Sequence, residues 1–138
     1  MNPRLQLALK RAAEASDEIA RAFTERDHAL TEKTGNDFAT ETDKSVEAHI
    51  GRRIAEAFPG DRRPGGEGGE QLLGHAPETG VLWIVDPLDG TFNFVHGFPY
   101  VATSVAIEAN GETQGGVIAI PLPHEFFSAG KGFGAWRH

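Results

Sequence analysis

Val81-Leu82-Trp83-Ile84-Val85-Asp86-Pro87-Leu88-Asp89-Gly90-Thr91 is the stretch from which the rest of this sequence can be read. Its first five residues form a continuous apolar run that stops at Asp86. Such a run predicts a strand buried on both faces. Two carboxylates three residues apart follow at once, with Pro87 stiffening the backbone between them. Ligands gather at the carboxyl ends of strands, and Asp86 and Asp89 can converge on one point there. The Leu88 carbonyl, lying between them, can add a third oxygen. Hard cations such as magnesium take oxygen ligands, one or two protein carboxylates being completed by waters and phosphate. Gly90 permits close backbone approach, and a helical turn over 90–96 would aim the amides of Gly90 and Thr91 at an anion. A plain surface turn is the competing explanation, because Asp-Pro and Asp-Gly pairs are common turn formers.

Upstream of this stretch, Leu5, Ala8, Leu9, Ala12, Ile19 and Phe23 recur at three- and four-residue intervals, which predicts an amphipathic helix. Val46, Ile50, Ile54 and Phe58 predict a second one, capped by Thr42 or Asp43 and ended by Pro59-Gly60. Residues 34–41 between them read as a turn with a short extended piece. Residues 60–80 are polar and rich in glycine, which predicts a loop. Downstream, Val101, Thr103, Val105 and Ile107 alternate with their neighbours, Asn110-Gly111 supplies a hairpin turn, and residues 115–120 return. Glu125 to Ala129 can add one more strand, after which the sheet is expected to stop. Helices followed by strands predict layered α with β rather than βαβ alternation.

The 138 residues suffice for one domain with a single core, and 39% hydrophobic with 24% charged residues is ordinary globular composition. A net charge of −7 argues against nucleic acid as the ligand, which would need clustered Lys and Arg. A small anion remains open if bound cations invert the local field. The sequence has no cysteine, which excludes thiolate metal sites and disulfides and favours the cytoplasm. The first twenty residues are charged throughout and lack a signal-peptide h-region. No apolar run approaches the roughly 20 residues that span a bilayer, so no membrane role is expected.

The longer string Trp83-Ile84-Val85-Asp86-Pro87-Leu88-Asp89-Gly90-Thr91-Phe92-Asn93-Phe94-Val95-His96-Gly97-Phe98-Pro99 resembles the signature of the inositol monophosphatase family. The similarity extends to Phe38-Ala39-Thr40-Glu41-Thr42-Asp43-Lys44 and to the segments 101–109, 115–120 and 130–136, and so covers nearly the whole chain. The resemblance implies the N-terminal half, residues 1–138, of a layered α/β/α/β/α domain: two helices, then a mainly antiparallel sheet. It further implies hydrolysis of a small phosphorylated polyol with two or more magnesium ions, and a homodimer in the full-length family. Inositol phosphate is the default substrate, with sugar bisphosphates, histidinol phosphate and adenosine bisphosphates as alternatives.

By the same resemblance Asp86 bridges two magnesium ions, the Leu88 carbonyl and a loop glutamate complete the first site, and Asp89 binds the second. Thr91 orients the attacking water together with a carboxylate, and the Gly90 and Thr91 amides hold the phosphate. Two departures stand out. The family carries paired glutamates after a glycine, the first a metal ligand, whereas here Gly65-Gly66-Glu67-Gly68-Gly69 places Gly66 at that position. Glu67 either takes over the metal and catalytic role or is a solvated loop residue. The family's chain is also about twice as long, its second half supplying another aspartate and most substrate contacts. A truncated, catalytically silent metal-binding remnant is therefore the alternative to an enzyme. A non-enzymatic module on the same fold has no signature of its own. Asp43 is a further catalytic candidate, its plainer role being the helix cap. His96, Trp83 and Trp136 are read as packing or surface residues, and Glu14 to Glu18 as the solvated face of the first helix.

Overall fold

A computed structural model describes residues 2–29, 34–63 and 79–138, the side chains of 27–29 aside. Two helices come first, α1 (Pro3–Ala29) and α2 (Gly35–Ala57). There follow β1 (Val81–Asp89), a short α3 (Thr91–His96), β2 (Ala102–Ala109), β3 (Glu112–Ile120), β4 (Glu125–Gly130) and β5 (Gly134–Arg137). The five strands form one antiparallel sheet in the order β1-β2-β3-β4-β5. Among the described residues no helix is long and apolar enough to cross a membrane.

Local chemistry explains most boundaries. Asn2 accepts the Arg4 backbone N–H at 2.7 Å, and Pro3 sits in the first turn, where its missing N–H costs nothing. Asn110 and Gly111 both take positive φ (51° and 83°), the conformation that a two-residue hairpin turn with right-handed twist demands. The predicted apolar stripe of α1 is the face laid on the sheet, with Leu5, Ala8, Ala12, Ala15 and Ile19 buried. α2 packs on β1 and α1 on β2 and β3, so that Ala39, Val46, Ile50 and Ile54 share one core with Val81, Trp83, Val105, Ile107, Val117 and Ala119.

Five expectations are corrected. α2 begins at Gly35, so residues 34–41 are not an extended turn: Thr34 caps the helix by accepting the Asp37 N–H at 3.1 Å. Thr42 and Asp43 are therefore interior helix residues and not caps, the Thr42 hydroxyl donating to the Phe38 carbonyl. The first turn is held from outside, since Phe38 packs on Phe94 with ring centroids 5.9 Å apart. β1 is buried on one face only, for Ile84 is 48% exposed. The sheet does not stop at residue 129, because β4 runs to Gly130 and pairs with β5. Finally, the acidic segment of α1 is not merely solvated. Glu14 meets His49 at 2.8 Å and Glu18 accepts from Ser45, tying α1 to α2.

Candidate metal and phosphate site

In a regular strand, side chains three apart point to opposite faces. Asp86 and Asp89 would then be useless as a pair. The pairing with β2 removes the difficulty. Asp86 lies opposite Ser104, and Asp89 opposite Ala102, so three steps along β1 match two along β2. The extra residue is a β-bulge at Pro87-Leu88, and it brings both carboxylates to one side of the sheet. Both aspartates are exposed while Pro87 and Leu88 are buried. A proline is tolerated here because a bulge does not need its N–H.

The electrostatics follow from that closeness. Partial loss of water around the carboxylate first, then the neighbouring Asp89 carboxylate, raises the Asp86 pKa above the ordinary value, while a backbone hydrogen bond from Leu88 draws it back. Asp43 is raised in the same way, by burial and then by the charge of Asp86. The interior of α2 thus delivers a third carboxylate within electrostatic reach of the pair. Among the described residues no three His, Asp or Glu side chains converge closely enough to hold a metal. The donors in hand are two carboxylates and a carbonyl, all hard oxygens of the kind magnesium or calcium accepts.

Gly90 follows with φ +90°, and a Cβ there would lie 2.6 Å from the Tyr100 carbonyl oxygen. Only glycine fits, so the chain can turn from β1 directly into α3. The Thr91 hydroxyl donates to the Leu88 carbonyl at 3.4 Å, and that oxygen keeps a second lone pair. Asn93 donates to the Tyr100 carbonyl at 2.9 Å, closing the loop after α3. Behind them Phe94 is fully buried against Phe23 and Phe38, which locks α3 to both long helices. Gly90→Ala is expected to destabilise the fold by about 2 kcal/mol, because positive φ and the clash act together. Equal urea midpoints for parent and variant would sink this account of Gly90.

The structure thus brings Asp86, Leu88, Asp89, Gly90 and Thr91 together, with Asp43 nearby. Glu67 and Gly66 lie outside the described residues. His96 is exposed, stacked on Phe92 at 4.1 Å, with Nδ1 donating to the Phe92 carbonyl. Trp83 is buried and Trp136 lies on the edge strand β5. Two important residues escaped the sequence reading. Thr103 is fully buried and donates to the Pro87 carbonyl at 2.9 Å. A signal for it existed, since a hydroxyl in the core-facing register of an apolar strand must find an acceptor. Asp61 is buried and accepts from Arg4 (2.7 and 2.9 Å), Thr79 (2.5 Å) and Trp83 Nε1 (2.8 Å). Nothing in its local sequence announced that role.

Known proteins resemble this chain in sequence and in fold. The Nus factor SuhB of Vibrio cholerae is 38% identical over 136 residues, covering 98% of this chain and 50% of that protein. Inositol monophosphatase II from Staphylococcus aureus superposes with a TM-score of 0.75 at 28% identity, over 96% of this chain and 47% of that one. An inositol monophosphate-bound SaIMPase-II gives a TM-score of 0.69 at 29% identity, over 96% and 46%. The chain spans about half the length of the curated relatives it matches. The model of the inositol monophosphatase family matches residues 1–138, and the strand-end carboxylates and glycine turn lie inside that match: the chain belongs to the inositol monophosphatase family.

Proposed function

We propose that this chain carries the cation- and phosphate-binding half of a magnesium-dependent phosphomonoesterase acting on a small phosphorylated polyol such as inositol monophosphate. The observation that carries it is the β-bulge, which sets Asp86 and Asp89 on one side of the sheet and makes their like charges neighbours. A pair of this kind is a poor structural device, since it repels itself, and a good seat for a divalent cation. Support for the substrate class comes from the family and from a relative with inositol monophosphate bound. The absence of cysteine suits a cytoplasmic setting.

In this proposal Asp86, Asp89 and the Leu88 carbonyl hold magnesium, with Glu67 as a further candidate ligand. Bound magnesium supplies a water of lowered pKa and neutralises charge on the departing oxygen. The chain's own groups do the positioning. Thr91 commits its proton to the Leu88 carbonyl, so its oxygen is left to accept a proton from water. Asp43, with its pKa raised, suits a proton-accepting role beside it. The first N–H groups of α3, at Thr91, have no partner within the helix and, with that of Gly90, are offered to phosphate oxygens. A metal-binding remnant without turnover is the second reading, favoured by the absence of a three-residue ligand cluster among the described residues.

Titration calorimetry with magnesium or manganese tests the site. The parent should bind and Asp86→Asn should not; equal heats from both would end the proposal. The same substitution should stabilise the metal-free fold by about 0.5 kcal/mol, as removal of an exposed like-charge contact does. The sign follows from linkage. Asp86 has a raised folded pKa, so its contribution to stability is fully present below the unfolded aspartate value. It is lost as pH rises through the folded one. The variant's advantage therefore appears at neutral pH and fades in acid.

A further inference from the structure

Beyond the carboxylates themselves, the bulge that pairs them needs an explanation for its persistence. A bulge interrupts the ladder, and here one of its residues is a proline without an N–H. The Pro87 carbonyl sits in a buried stretch and must find a donor. It finds the Thr103 hydroxyl at 2.9 Å, a side chain that is 0% exposed. Thr103 faces the helices with Val105 and Ile107, on the side of β2 opposite to Ser104 and Ala102, the partners of Asp86 and Asp89. The hydroxyl therefore grips the bulge from beneath while the carboxylates stand above it.

We propose that Thr103 is a positioning residue for the Asp86–Asp89 pair, its buried hydroxyl satisfying the Pro87 carbonyl within the bulge and so holding the two carboxylates on one side. This rests on the cation-binding reading of that pair. The alternative register without a bulge returns Asp89 to the opposite face, because side chains alternate with period two. Cation affinity is therefore the quantity that Thr103 protects. Packing alone does not require the hydroxyl, since valine has the same shape.

The test is a manganese titration of the 138-residue chain, read together with the thermal midpoint of each metal-free variant. Thr103→Val should bind manganese roughly tenfold more weakly, the loss of about one hydrogen bond to a buried acceptor at 1.4 kcal/mol per tenfold. Thr103→Ser, which keeps the hydroxyl, should bind within about twofold of the parent, a limit well inside that tenfold. Thr103→Ala repeats the valine arm should valine fail to fold. Val117→Ala, buried on β3 away from the bulge, is the control for general destabilisation and should lower the midpoint without weakening binding. Unchanged affinity in Thr103→Val, or a serine variant as weak as the valine one, overturns the assignment. So does equal weakening in Val117→Ala. Absence of binding by the parent itself would instead overturn the cation-site reading, and Asp86→Asn run alongside separates the two failures.

Discussion

Replacing Asp61 with alanine is expected to destabilise the fold by about 3–5 kcal/mol, the range for removing one partner of a buried ion pair. At this size that lowers the thermal midpoint by roughly 10–15 °C. The carboxylate is buried, and it joins three separate parts of the chain. Arg4 of α1 donates two bonds to it, Thr79 donates from the segment entering β1, and Trp83 Nε1 donates from β1 itself. Without Asp61 the indole N–H and the guanidinium lose their acceptor, and unsatisfied buried donors cost more than the bonds were worth. Arg4 also lies over the Phe58 ring at 4.3 Å, so the clamp holds the end of α2 as well.

The pH dependence of that effect follows from the depressed pKa of Asp61. Burial pushes it up, but the bonds from Arg4, Thr79 and Trp83 and the charge of Arg4 outweigh burial and hold it below the ordinary value. A depressed folded pKa contributes stability above the unfolded aspartate value and loses it as pH falls through the folded one. Urea unfolding at neutral pH and again below the aspartate range should show the parent's advantage over Asp61→Ala shrinking in acid. A constant gap would show that Asp61 acts through shape and not through charge. Arg4→Met should be strongly non-additive with Asp61→Ala, because both break one contact.

Residues 1–138 alone are expected to hydrolyse inositol monophosphate at least about a thousandfold more slowly than a complete two-metal site. Two-metal hydrolysis clamps both the attacking and the leaving oxygen. Among the described residues the protein donors are Asp86, Asp89 and the Leu88 carbonyl, and no third acidic or histidine ligand joins them. By the family resemblance, most groups that hold the alcohol part of a substrate lie in the half of the relatives that this chain does not span. Positioning is worth ~7–11 kcal/mol in well-arranged sites. Losing about 4 kcal/mol of it slows turnover by roughly three orders of magnitude. An assay with saturating magnesium decides the matter. Turnover near about one per second, the ordinary enzyme range, abolished by Asp86→Asn, would mean that this segment is a sufficient catalyst and that the ligand count is incomplete.

Several features were legible in the sequence because each is a local matter. The stripes of α1 and α2 repeat at helical spacing, Asn110-Gly111 is a turn by its own backbone preferences, and the alternation of β2 is visible residue by residue. The strand-end carboxylates, the Leu88 carbonyl and the glycine turn could be named in advance for the same reason. The start of α2 was missed because the stripe over 46–58 was read without Ala39 and Phe38, whose burial depends on Phe94 from another element.

What the sequence determined by itself was thus the two long helices, the hairpin after β2 and a set of candidate oxygen ligands, though not β5, since periodicity, turn chemistry and short motifs are properties of neighbours. Tertiary structure alone decided that Asp86 and Asp89 share a side, because strand register counts residues on β2 as well as on β1. It alone brought Thr103 under Pro87, 16 residues away, and Arg4 to Asp61, 57 residues away. Such partners leave no periodic trace. They are chosen by which buried polar group is left without a bond once the sheet and helices have closed over it.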